Sequence, residues 1–184
     1  MKITVIGRGN VGGGLARRWK AKGHAVTALG KDGGDASGAD VVVVAVPSGQ
    51  IADALAKVKG LRGKVTIDVT NAFSGRNDAH ASLAHEVKSI VQGPVAKSFN
   101  LNFATLYDEI DEQRARPGQF YAAEDDAKAA TEALIRDAGY EPLFVGGLDM
   151  ARKLEDEILG GPFGAVMKAN GGPFFYRYAK PGEL

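Results

Sequence analysis

Residues 40–46 read DVVVVAV, and no other stretch constrains the fold of this chain so tightly. Four consecutive valines send β-branched, apolar side chains to both sides of an extended backbone, so both faces of that strand need cover. A strand with one wet face alternates polar and apolar positions. This one does not, which is the pattern of a parallel strand held between two layers of helix. Pro47 ends the run, fixing its own φ and pressing Val46 into an extended conformation.

The segments on either side repeat the theme. KITVIG, HAVTALG, GKVTIDVTN, PVAKSFN, QFYAA and EPLFVGG read as further strands. NVGGGLARRWKAKGH, SGQIADALAKVKGL, SLAHEVKSIV, EDDAKAATEALIRDAG and LDMARKLEDEILG read as helices. Leu15 and Trp19, four apart, mark the buried face of the first helix, and Gly23 sits where it should stop. Strand and helix alternate, which predicts an α/β, doubly wound, mostly parallel sheet with right-handed crossovers. Residues 1–147 carry that pattern, and 148–184 form a short C-terminal helical extension ending in a glycine- and aromatic-rich tail. Between Gly30 and Asp40 the chain has only turn-formers, KDGGDASGA, where such folds place a helix and a strand; a loop is predicted there.

Composition excludes several function classes. The 184 residues contain no cysteine, which removes disulfides, thiol nucleophiles and thiolate metal sites, so redox chemistry requires a bound cofactor. A formal charge of +1 provides no field for nucleic acid. No apolar run reaches the roughly 18 to 20 residues of a membrane span, and the short apolar stretch before Arg8 lacks a secretory pattern; a cytoplasmic protein is expected.

Five of the fifteen residues in VIGRGNVGGGLARRW are glycine. Gly7, Gly9 and Gly12 fit G-x-G-x-x-G between a strand and a helix, the context that gives a weak motif its meaning. Gly7 serves the tight turn, Gly9 the approach of a pyrophosphate to the main chain, and Gly12 the packing of helix on sheet. Free N–H groups and the helix dipole then hold the phosphates. The fold is therefore expected to be Rossmann-like. Arg8, Asn10 and Val11 complete the loop, and Arg8 is within reach of a phosphate or is a solvated arginine. At the end of the second strand stands Gly30-Lys31 in place of the carboxylate that favours NAD. Lys31 suits the 2′-phosphate of NADP, whereas Asp32, if it faced the ribose instead, would favour NAD. Ala45, Val46, Pro47 and Ser48, at a strand C-terminus, are expected to border the ribose.

The order IGRGNVG, AVPSGQIADAL, IDVTNAF, VAKSFN and ARKLEDE resembles an NADP-dependent family that includes NADPH:coenzyme F420 oxidoreductases and the cytoplasmic domains of STEAP-type ferric reductases. The resemblance runs from Met1 to about Glu157. It implies hydride transfer between NADPH and a flavin, a deazaflavin such as F420, or another small acceptor, by a Rossmann-like domain that forms homodimers through its C-terminal extension. It places the phosphate loop on Gly7, Arg8, Gly9, Asn10, Val11 and Gly12, and the 2′-phosphate position on Gly30 and Lys31, where relatives commonly carry Ser-Arg. It places the strand-end segments on Ala45, Val46, Pro47, on Asp68, Thr70, Asn71, and on Phe99 and Asn100. Glu124 stands where a glycine is common, and the tail is richer in glycine than the resemblance implies.

Hydride transfer depends on holding the nicotinamide about 3 to 3.5 Å from its acceptor, and no protein nucleophile is needed. Asn100 is a candidate to fix the nicotinamide carboxamide and Asn71 to orient the acceptor; either asparagine also suits a local backbone cap. His24, His80 and His85 lack metal-ligand spacing, and no metal site is predicted. Asp108, Glu109, Asp111 and Glu112 with Arg114 and Arg116 read as a self-neutralising surface loop that covers the acceptor. ARKLEDE reads as a solvated helix face with Lys153 paired to Glu157, and Arg17-Arg18 as the wet face of the first helix. Phe163, Phe174, Phe175, Tyr176 and Tyr178 suit a dimer seam or an acceptor pocket. A non-catalytic NADP-binding sensor or delivery module shares all the binding features and is the alternative.

Overall fold

The computed structural model describes residues 1–182. Its elements run β1 (Lys2–Ile6), α1 (Asn10–Ala21), β2 (Ala25–Leu29), β3 (Gly34–Asp35), β4 (Val41–Val44), α2 (Ile51–Leu55), β5 (Val58–Lys59), β6 (Val65–Asp68), α3 (Leu83–Val91), β7 (Val95–Lys97), β8 (Gly118–Ala123), α4 (Asp125–Asp137), β9 (Glu141–Gly146), α5 (Ala151–Leu159) and α6 (Pro162–Ala169). Seven strands form one sheet in the order β2-β1-β4-β6-β7-β8-β9. Pairing is parallel throughout except where β7 meets β8. The strand order reverses between β1 and β4, and the crevice at that reversal is where open α/β sheets bind ligands. The fold is the Rossmann-like, mostly parallel α/β architecture the alternation implies.

The valine run divides its side chains as an extended backbone must. Val41 and Val43 join Leu15, Trp19, Tyr121, Leu134 and Tyr140 under α1 and α4. Val42 and Val44 join Ile51, Leu55, Leu83, Val87 and Val91 under α2 and α3. All four valines are buried, so each face excludes water. Trp19 Nε1 donates to the Leu134 carbonyl at 2.9 Å, tying α1 to α4 on the first face.

Several local expectations change. The segment after Ser48 is a short 3-10 turn and a five-residue helix rather than one long helix. The chain then turns extended so that Val58–Lys59 pairs in parallel with Gly34–Asp35. That two-strand patch makes the residues between Gly30 and Asp40 more than a loop, with Ala36 donating to the Lys59 carbonyl. The acidic segment is a nine-residue 3-10 run, Ala104–Glu112, pinned by buried Tyr107 and Ile110. It does not neutralise itself. Asp111 pairs with Arg18 at 2.8 Å, and Arg18 also donates to the carbonyls of Tyr107 and Ala138. Arg18 is thus a brace between elements, not part of a wet face.

In the tail, Phe163 and Phe174 pack with Phe103, and Tyr176 stacks on Phe120 at 5.0 Å between centroids. Phe120 N donates to the Tyr176 hydroxyl, and Gly118 N to the Tyr176 carbonyl. These rings pack on one another and on Phe103 and Phe120 within the chain and stay partly exposed. Tyr178 remains exposed.

Candidate functional site

At the reversal of strand order, the three glycines of the first loop have three different surroundings. Gly7 adopts φ +107, and a Cβ there would overlap the Ala45 carbonyl group, 2.8 Å from its carbon. Gly12 faces the Gly7 carbonyl and Ala45 Cβ, the latter 2.9 Å from a built Cβ. Both glycines are therefore required by the protein's own packing. Gly9 has nothing within 4 Å. The space beside it is open, so the fold alone does not account for a glycine there.

Gly9 caps α1, no side chain caps the helix, and its first turn carries no acidic residue. The helix start therefore offers N–H groups and a positive dipole end to an anion. A cleft of about 310 Å³ opens beside it, lined by Gly9, Asn10 and Val11, by Ala45, Val46, Pro47 and Ser48, and by Val69, Thr70, Asn71, Phe73 and Ser74. Most of the cofactor-binding residues expected from sequence thus converge on one cavity. Ser48 is buried and accepts a hydrogen bond from Ser74 N at 3.2 Å, joining the turn after β4 to the turn after β6. Gly30 and Lys31 lie outside this cavity, at the end of β2, where Gly7 N reaches the Leu29 carbonyl at 3.0 Å.

Two expected site residues are corrected. Phe99 is 1% exposed and packs edge-on against Trp19 and Tyr140 in the core, so its ring does not border the cleft. Asn100 is 2% exposed, and its amide donates to Asn71 Oδ1 and to the Leu154 carbonyl. Asn71 in turn donates to the Asn100 carbonyl at 2.7 Å. Packing has claimed Asn100 as a brace under the cleft wall; Asn71 remains half-buried on the cleft itself.

Below that wall lies a charge cluster the sequence reading missed. Lys97 Nζ sits 2.7 Å from Asp68 Oδ2, 2.6 Å from the Thr70 carbonyl and 3.2 Å from Glu155 Oε1, and all three charged side chains are fully buried. Glu155 also accepts from Leu83 N at 3.0 Å and pairs with Arg76 at 2.9 Å. Burial pushes the Asp68 carboxyl above the usual carboxylate range, against the pull of Lys97. The ARKLEDE helix is therefore not merely a solvated face. Its i, i+4 pair is Arg152–Asp156 rather than Lys153–Glu157. A signal was present: β6 and β7 each end on one charged residue, and the register sets Asp68 opposite Lys97.

Phe73 was also missed. It stands 70% exposed on the cleft rim, in the 3-10 turn Ala72–Ser74. His24 bridges the N-terminus and Asp137, and His85 meets Ser82 at the start of α3. Among the described residues no group of His, Asp or Glu side chains could hold a metal.

This glycine-lined crevice can be compared with those of solved proteins. A structure from Arthrobacter sp., described as a candidate F420-dependent NADP reductase, aligns with a TM-score of 0.81 and 24% identity, covering 98% of this chain and all of that one. The fold is shared with NADP-linked reductases. The sequence motifs resemble the same class of protein. A hypothetical protein from Sinorhizobium meliloti aligns at 26% identity and TM-score 0.66, over 80% of this chain and 86% of its own. A reductive aminase from Aspergillus terreus, solved with NADPH, aligns at 15% identity and TM-score 0.67, over 90% of this chain and 62% of its own. No protein-family model matches the chain, and no curated protein does. No helix among the described residues is long and apolar enough to cross a membrane.

Proposed function

We propose that the chain is an NADPH-dependent oxidoreductase that binds the dinucleotide across the strand ends and passes a hydride between it and a small planar acceptor, a flavin or a deazaflavin. The observation that carries the reading is the contrast within the glycine loop: Gly7 and Gly12 are demanded by the fold, whereas Gly9 faces open space beside an uncapped helix. A ligand backed by phosphate accounts for that vacancy of side chain.

The residues have separable tasks. Gly9, Asn10, Val11 and Gly12 present main-chain N–H groups to the pyrophosphate, and Ala45 to Ser48 form the wall beside the ribose. Thr70 and Asn71, just after β6, stand at the other wall, held from beneath by Lys97 and Asn100. The nicotinamide supplies the hydride. The side chains lining the cleft are apolar, amide or hydroxyl groups, a lining that suits an acceptor taking a hydride without a proton from a protein acid. A flavin or deazaflavin takes a hydride without one from the protein. Phe73 offers an exposed ring of matching shape on the rim.

A cleft lined in this way also suits a non-catalytic sensor or delivery module, the second reading. The two part on turnover. Loss of NADPH absorbance on addition of FMN, FAD or a deazaflavin supports the enzyme; NADPH binding without oxidation by any of these supports the sensor. Residues 148–184 are read as an extension of the same unit, and the exposed Leu159 and Val166 of its helices as part of a homodimer contact, which light scattering of the purified chain tests. A cytoplasmic location belongs to the same proposal.

A further inference from the structure

The glycine loop holds a second feature, on the side facing away from the cleft. Arg8 lies across the end of β2 with its guanidinium against Gly30: a Cβ on Gly30 would stand 2.9 Å from Arg8 Cζ and 3.0 Å from Nε, inside van der Waals contact. Gly30 has an ordinary φ and needs no glycine for its backbone. What its missing side chain provides is the seat for that guanidinium. Arg8 is exposed and makes no hydrogen bond or ion pair among the described residues, so its fork of donors is free. Lys31 is exposed beside it, and Lys57 Nζ reaches the Lys31 carbonyl at 3.2 Å. Two unpaired cations and a third nearby thus gather at one strand end, with Asp32 as the acidic neighbour.

We infer that Arg8, seated on Gly30, is the group that selects the adenosine 2′-phosphate, with Lys31 as its electrostatic support. This inference rests on the dinucleotide reading above and narrows it. The end of β2 is where the adenosine ribose of a dinucleotide falls in this fold. A guanidinium meets a phosphate through two parallel N–H donors, which a lysine cannot do. The arginine comes from the glycine loop rather than from the strand end, and the arrangement works because residue 30 leaves room for it. Arg8 is therefore a specificity residue for the ribose phosphate and not a ligand of the pyrophosphate.

Calorimetric titration with 2′,5′-ADP and with 5′-AMP tests this, because the two probes differ only in the 2′-phosphate. Arg8→Ala is expected to weaken 2′,5′-ADP by about ten- to a hundredfold while changing 5′-AMP less than about twofold. Gly30→Ala keeps every charge, displaces only a flexible side chain, and is expected to move 2′,5′-ADP in the same direction by a smaller factor. Arg8→Lys should fall between wild type and Arg8→Ala. Equal weakening of both probes by Arg8→Ala would make Arg8 a contact of the moiety they share, its adenine or its 5′-phosphate, and overturn the inference, as would no change in either. Wild-type protein that holds both probes equally, while still binding NADH and NADPH, overturns the inference and leaves the dinucleotide site standing. Wild-type protein that binds no dinucleotide refutes both.

Discussion

The two ends of the cleft are built on opposite principles. At the β1–α1 end the protein removes side chains: Gly7 and Gly12 let backbone meet backbone, and Gly9 leaves a gap. Beneath the β6–β7 end it buries charge, with Lys97, Asp68 and Glu155 sealed from water and linked through Arg76 to the surface. The first end is shaped to be filled by something else. The second is already full, and its role is to hold Thr70, Asn71 and helix α5 in one place. A ligand site thus needs emptiness on one side and rigidity on the other, and different residue chemistry delivers each.

That contrast can be broken from the filled side first. Lys97→Met leaves Asp68 as an uncompensated buried charge and Glu155 with Arg76 alone, and is expected to cost about 3–5 kcal/mol, a fall in melting temperature of about 6–20 °C. Calorimetry or circular dichroism reads it. A drop no larger than that of a surface substitution would mean the cluster is not holding this end together. Gly7→Ala comes next. Its positive φ and its collision with the Ala45 carbonyl predict a loss of about 2–4 kcal/mol, which denaturant unfolding measures. A neutral result would remove the claim that packing alone demands this glycine.

The rim gives a smaller effect. Phe73→Ala should raise KM for a flavin or deazaflavin by about five- to tenfold through the lost ring contact, with the NADPH dissociation constant unchanged. The smallest effect belongs to a half-buried counterpart of that cluster, the hydrogen bond from the Tyr121 hydroxyl to Glu132. That bond holds the Glu132 carboxyl below its usual range. A carboxyl with a lowered folded pKa adds stability that is present above its unfolded value of about 4.3 and is lost as the pH falls through the folded value. Tyr121→Phe should therefore flatten the acid limb of the stability profile slightly, by well under about 1 kcal/mol.

The same contrast explains what the sequence could reveal. The open end was legible because its signals are local: strand, glycines and helix follow one another over twenty residues, and spacing alone carries the geometry. The valine run announced its two covered faces just as directly. The charge cluster was not legible in that way, because Lys97, Asp68 and Glu155 come from three elements far apart in the chain and meet only through register and helix docking. Asn100 and Phe99 were misplaced for a related reason. A motif says which residues lie near a strand end, but the positive φ of Phe99 turns its ring into the core and Asn100 toward Leu154. Arg18 likewise looked solvated until the 3-10 run folded over it.

The central claim is that Gly9 is bare for the sake of a ligand, and Gly9→Ser tests it with two effects of opposite sign. Serine is a good helix cap and the structure has room for it, so stability should hold or rise by about a few tenths of a kcal/mol. Its side chain would also occupy the gap and the N–H groups, so NADPH affinity measured by calorimetric titration should fall at least about tenfold. Unchanged NADPH affinity in a fully folded Gly9→Ser protein would contradict the account.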